Sequence, residues 1–157
     1  LAPYVNSIIV MGYDVHAPNG PAGPIAPMEG EGGVIGYMQS YLERADSSKL
    51  ILAVPYYGYD WPVDKSQGQP HTLAFAEIAD TSRNLSILWD EIYKAPYYRY
   101  KDSTGVLREV HFENARSLGI KYDYLNKKNL AGVAIWAMGY DGLNKELEAV
   151  LLDKFTK

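Results

Sequence analysis

Cysteine is absent from the 157 residues, so no disulfide and no thiolate metal ligand can help to hold this chain together. Histidine is scarce: His16, His71 and His111 stand singly, without metal-ligand spacing, and read as loop or surface residues. No cluster of Lys and Arg interrupts a formal net charge of -4, so the electrostatic footprint of a nucleic-acid-binding protein is missing. No apolar run approaches the ~20 residues of a membrane-spanning helix. Leu1 is not followed by the charged flank and apolar core of a signal peptide, and any targeting signal is expected outside these residues. Gly-x-Gly-x-x-Gly turns and Walker loops are also lacking, which removes support for the common nucleotide-binding uses of an α/β sheet, and no cofactor is expected.

What is present is an ordinary globular composition, 47% hydrophobic and 22% charged, enough for one domain with a substantial core. Asn6 to Tyr13, Leu50 to Pro55 and Leu130 to Met138 are short, nearly continuous apolar runs rich in β-branched residues, which predict strands buried on both faces and therefore parallel. Between them apolar residues recur at helical spacing. Val34, Tyr37, Met38, Tyr41, Leu42 and Ala45 mark one helix, Ala115 to Lys127 a second with Asn114 as its cap, and Leu143 to Phe155 a third.

Residues 62–113 break this alternation and predict an α+β insertion. Leu73 to Ala79 reads as a short helix, and Ala95 to Tyr100 and Val106 to Phe112 as a hairpin around Lys101 to Gly105. His16 to Pro27 carries too many Pro and Gly residues for a helix and predicts a shaped loop. With the insertion set aside, the order strand, helix, strand, helix, strand, helix requires a parallel sheet with helices outside it. A complete (β/α)8 barrel needs ~250 residues, about 30 per unit, so these residues hold only part of one. A small open α/β sheet satisfies the same pattern.

Two strand ends repeat one another, Met11-Gly12-Tyr13-Asp14 and Met138-Gly139-Tyr140-Asp141. Working groups of a parallel barrel sit where strands finish. Tyr13 can donate a hydrogen bond to a substrate carbonyl and Asp14 can orient a polar group, although a core tyrosine beside a turn-forming aspartate fits the same residues. Trp136 points either into a barrel or toward the helices. Fourteen tyrosines and three tryptophans, many at strand exits, favour a sugar, whose C–H face packs on aromatic rings, but an aromatic-rich core has the same composition.

Met11-Gly12-Tyr13-Asp14, Val54-Pro55-Tyr56-Tyr57-Gly58-Tyr59-Asp60-Trp61, Val110 to Ser117 with Lys121, and Gly132-Val133-Ala134-Ile135-Trp136 together resemble glycoside hydrolase family 18. The likeness is greatest to its bacterial N-acetylglucosaminidases and spore-cortex hydrolases, and more distant to chitinases and chitobiases. It implies a C-terminal portion of a (β/α)8 barrel, with 1–61 and 114–157 holding strands six to eight, Leu1 to Val5 closing the preceding helix, and 62–113 forming a cleft wall. It implies substrate-assisted retaining hydrolysis of β-linked N-acetylglucosamine polymers in an extracellular or cell-envelope setting in a bacterium. Tyr13 would bond the N-acetyl oxygen, Asp14 would contact the sugar near the cleavage point, Trp136 would floor the reacting subsite, and Met11 and Tyr57 would line it. The family's proton-donor run, Asp-x-x-Asp-x-Asp-x-Glu, is absent from these residues. The chain alone is therefore expected to be inactive, with its open sheet edges covered by the missing half of the barrel or by another chain. A non-hydrolytic, lectin-like relative is the alternative.

Overall fold

The computed structural model describes residues 2–156. Strands β1 (Ile8–Met11), β2 (Leu50–Pro55) and β8 (Gly132–Trp136) form a parallel sheet in the order β1-β2-β8, with helices α1 (Val34–Leu42), α3 (Ala115–Lys128) and α4 (Glu146–Phe155) beside it. Its register pairs Val10 with Leu52 and Leu52 with Val133, and Val54 with Ile135. Successive side chains point to opposite faces of a strand, so these residues share one face, where they join a core with Met38, Leu118, Tyr122, Leu125 and Leu147. The opposite face carries Ile9, Met11, Ala53, Ala134 and Trp136, and much of it is exposed. Among the described residues, β1 and β8 each keep one unpaired edge.

β3 (Tyr57–Pro62), β4 (His71–Ala74), β5 (Leu88–Asp90), β6 (Ala95–Lys101) and β7 (Leu107–His111) build an antiparallel sheet in the order β4-β3-β7-β6-β5, with α2 (Phe75–Thr81) packed on one side. Only Tyr56 separates β2 from β3. Its N–H donates to the Trp136 carbonyl at 2.7 Å and its carbonyl accepts from Phe75 at 2.9 Å, so one backbone position ties the two sheets together.

Several elements differ from the sequence reading. The aromatic stretch after Pro55, to which the sequence reading assigned no strand, is itself a strand, because Tyr59 and Asp60 pair with His111 and Val110. Leu73 belongs to β4 and not to a helix: pairing of Tyr57 with Ala74 holds it extended, and the helix starts at Phe75. The short strand β5 had no period-two signal in the sequence. The last helix begins at Glu146, three residues later than expected, since Gly139 and Gly142 adopt left-handed φ of 86° and 57° in a run of turns. Ala2–Tyr4 form a 3-10 turn where the end of a helix was expected; Leu1 lies outside the described residues.

Asn114 caps α3 as expected, its side chain accepting from the Ser117 N–H at 3.1 Å while the Ser117 hydroxyl accepts from the Asn114 N–H at 3.0 Å. The same stretch buries an ion pair. Lys121 Nζ donates to Glu113 Oε2 at 2.8 Å, with side-chain exposures of 0% and 1%. Burial pushes the Glu113 carboxyl upward and Lys121 opposes that shift. Removing one partner strands the other charge, which commonly costs about 3–5 kcal/mol, whereas apolar replacement of both is close to neutral. Lys121→Met is accordingly expected to lower the urea-unfolding free energy by about that amount, and adding Glu113→Leu is expected to recover most of it. A single variant as stable as the wild type would contradict this reading of the pair.

Candidate active site

The C-terminal ends of the parallel strands converge on a carboxylate. Gly12 extends β1 by one bond, from its N–H to the Ala53 carbonyl at 3.2 Å, and a Cβ there would lie 2.7 Å from Leu52 Cδ1. The chain then leaves the sheet, with Asp14 in the left-handed region at φ 63°. Aspartate tolerates that conformation better than most residues because its short polar side chain can bond locally. Here the bonds come from another strand: Tyr57 and Tyr59 both donate to Asp14 Oδ1, at 2.5 and 2.8 Å.

Alternation along β3 explains the pair. Tyr57, Tyr59 and Trp61 occupy one face and Gly58 and Asp60 the other. Gly58 is required by packing, since a Cβ would meet the His111 carbonyl oxygen at 2.4 Å. Asp60 is held away from the site, accepting from Arg108 Nε and from the Tyr100 hydroxyl, each at 2.8 Å. The Pro/Gly-rich loop after Asp14 folds over the aromatic face. Val15 N–H bonds the Ile25 carbonyl at 3.1 Å, Trp61 Nε1 donates to the Pro18 carbonyl at 3.2 Å, and Ile25 and Ala26 pack on Tyr57, Tyr59 and Trp61.

Tyr57 also holds neighbouring rings edge-on, Tyr13 at 6.1 Å, Tyr59 at 5.5 Å and Tyr140 at 6.4 Å between centroids. These contacts span the site from the end of β1 to the turn after β8. Of the residues singled out in the sequence, Tyr13, Asp14 and Tyr57 are thus in mutual contact. Met11 and Trp136 lie on the helix-free face of the parallel sheet, 67% and 57% exposed, with β2 between them: Met11 is level with Ala134 through Ala53, and Trp136 lies two residues further along β8. The choice left open for Trp136 is resolved: it points away from the helices. The His111 ring stacks on Tyr97 at 5.3 Å and bonds Glu109, and lies against Trp61, remote from any cluster of ligands. Among the described residues no group of three His, Asp or Glu side chains could hold a metal ion.

Burial, followed by the hydrogen bond to Asp14, pushes the Tyr59 phenol up to about 12, and the same two causes drive Tyr57 higher still. Burial and the charge of Asp14 also raise Tyr13. All three phenols therefore remain protonated donors at physiological pH. Tyr57 and Tyr59 spend their protons on Asp14, whereas the Tyr13 hydroxyl and Asp14 Oδ2 have no hydrogen bond among the described residues. One donor and one acceptor thus follow the end of the strand that carries Met11, and the exposed indole closes β8 in the same sheet, a set of groups suited to a ligand with both polar edges and an apolar face.

Tyr59 was given no role from the sequence, and Tyr140 was noted only within the repeated Met-Gly-Tyr-Asp motif. Tyr59 could have been given one, because period-two spacing from Tyr57 puts it on the same face once the segment is recognised as a strand. Nothing local announces that Tyr140 would reach Tyr57.

The chain is 31% identical over 140 residues to the cortical fragment-lytic enzyme of Bacillus subtilis, covering 86% of this chain and 32% of that protein. It is 28% identical over 123 residues to human di-N-acetylchitobiase, covering 64% of this chain and 32% of that protein. Among solved structures, the Bacillus cereus spore cortex-lytic enzyme SleL superposes with a TM-score of 0.86 at 26% identity, over 99% of this chain and 36% of that one. A Cycas revoluta class V chitinase mutant in complex with (GlcNAc)3 shares the fold, with a TM-score of 0.83 at 24% identity over 98% of this chain and 47% of that one. The chain spans about a third of the length of the curated relatives it matches. Its parallel sheet with outer helices is a portion of their (β/α)8 barrel, and the antiparallel sheet is inserted into it. Residues 1–141 match the model of glycosyl hydrolases family 18, and the chain belongs to that family.

Proposed function

We propose that the protein carrying this chain hydrolyses β-linked N-acetylglucosamine polymers of the chitin or peptidoglycan type, with the substrate's own acetamido group as nucleophile. The observation that carries this reading is the exposed Trp136 indole on the same sheet face as Met11, at the strand ends where Tyr13 and Asp14 each keep a polar atom unpaired. A pyranose packs its C–H face on the indole while its polar substituents meet the donor and acceptor. Tyr13 donates to the acetamido oxygen and aligns it for attack on the anomeric carbon, and Asp14 Oδ2 accepts from the sugar or its amide; Tyr57 and Met11 line the pocket.

In this reading β1, β2 and β8 are strands six, seven and eight of the barrel, and residues 62–113 form one wall of the cleft. The open edges of β1 and β8 and the exposed face bearing Ile9 and Met11 are covered by the remaining barrel strands or by another chain. General acid assistance to the leaving oxygen is worth about 10²–10⁴-fold, and no Asp-x-x-Asp-x-Asp-x-Glu run lies within these residues to supply it. The chain alone is therefore inactive, and the acid comes from outside residues 1–157. Similarity to cortex-lytic enzymes supports an envelope location in a bacterium.

Two substitutions test the roles in the full protein. Tyr13→Phe is expected to lower kcat on a chromogenic chitooligosaccharide about 10-fold or more with little change in KM, because the lost hydrogen bond aligns the acetamido oxygen for attack. Unchanged kcat would remove Tyr13 from the chemistry. Trp136→Ala is expected to weaken (GlcNAc)3 binding about 10-fold, near 1.4 kcal/mol, by calorimetry. Equal affinity in that variant would show that sugar does not rest on the indole.

A further inference from the structure

We propose that Tyr59, acting with Tyr57, is a positioning residue for Asp14: the two phenols fix one carboxylate oxygen and leave the other to accept from an uncharged or cationic donor group of the sugar. The inference rests on the reading of the site as a sugar cleft and adds to it the part played by the antiparallel sheet.

Asp14 is an exposed residue at a left-handed position beyond the end of its strand, where a short side chain ordinarily samples several rotamers. Two donors converging on Oδ1 restrict that freedom, and both are buried in packed surroundings. The Tyr57 and Tyr59 rings are 5% and 7% exposed, Tyr59 is braced edge-on by Trp61 at 5.4 Å, and Trp61 is tied to the loop through Pro18. The clamp belongs to the rigid strand β3, while the residue it holds belongs to the loop after β1. With Oδ1 saturated, directional bonding to a ligand falls to Oδ2.

Charge sets the class of group that Oδ2 receives. The neighbouring aspartate on β3, Asp60, is paired with the Arg108 guanidinium, but no Lys, Arg or His forms an ion pair with Asp14 among the described residues. Its partners are neutral phenols, so its negative charge stays directed at the cleft. A hydroxyl, an amide N–H or an ammonium meets that oxygen favourably; a carboxylate-bearing substituent does not. Tyr59, pushed up to about 12, keeps its proton throughout the physiological range and stays a donor to Asp14 there.

The test uses the full protein with 13Cζ-labelled tyrosine, comparing wild type, Tyr59→Phe, Asp14→Asn and Asp14→Ala. Tyr59 is expected to titrate near 12 in the wild type and at lower pH in Asp14→Ala, with Asp14→Asn as the volume-conserving control. An identical Tyr59 titration with and without the carboxylate would overturn the clamp, whatever the protein binds. Calorimetry with (GlcNAc)3 supplies the second arm. Tyr59→Phe is expected to weaken binding about 10-fold in the wild-type background and less than 2-fold in Asp14→Ala, since neighbours acting through one contact are non-additive. Full additivity would overturn the positioning role. A wild-type protein that ignores (GlcNAc)3 while Tyr59 still responds to Asp14 would overturn the sugar reading and uphold the clamp.

Discussion

The extended run from Leu50 to Pro62 serves both sheets, and the rest of the molecule is arranged around it. Its first half is the central strand of the parallel sheet, its second half lies inside the antiparallel sheet, and Tyr56 between them is bonded to both β8 and the start of α2. The backbone bends at Tyr56, yet the side-chain alternation carries on through it, with Tyr56 in the same core as Leu52 and Val54 and Tyr57 outside it. The apolar residues Leu52 and Val54 face the helices, while Tyr57 and Tyr59 reach across to the end of β1.

This continuity assigns separate duties to the two sheets. In the proposed site the parallel sheet supplies an apolar floor, Met11 and Trp136, and the loop that carries Tyr13 and Asp14. The antiparallel sheet supplies the donors that orient Asp14 and the aromatic surface on which the Pro/Gly-rich loop settles. The buried pair Glu113 and Lys121 fastens the end of β7 to α3, whose packing against α4 closes the outer layer. Neither sheet alone contains the proposed site.

Much of the parallel sheet was legible in the sequence because its strands are short apolar runs separated by helical periodicity, and burial on both faces is what such runs require. The place of Met11 to Asp14 at the end of a parallel strand was legible too, because the apolar run gives way there to aromatic and polar residues. The antiparallel sheet was less so. Tyr57 to Pro62 alternates aromatic residues with Gly and Asp, a pattern resembling a loop until its partner β7 is known, and β5 is too short to display a period. Asp60 and Asp14 look equivalent as letters, yet Asp60 is paired with Arg108 while Asp14 has no cationic partner among the described residues, a difference created by tertiary pairing. The direction of Trp136 likewise depended on register, which no local spacing encodes.

The central claim is that a sugar ring rests on Trp136 with its acetamido group held by Tyr13 and its donor groups by Asp14. A crystal structure of the full protein soaked with (GlcNAc)3 tests it most directly. The account predicts one pyranose stacked on the indole, its acetamido oxygen within hydrogen-bond distance of the Tyr13 hydroxyl and a hydroxyl or amide N–H on Asp14 Oδ2. Sugar bound elsewhere, with Trp136 covered by protein and Tyr13 turned away from the ligand, would contradict it.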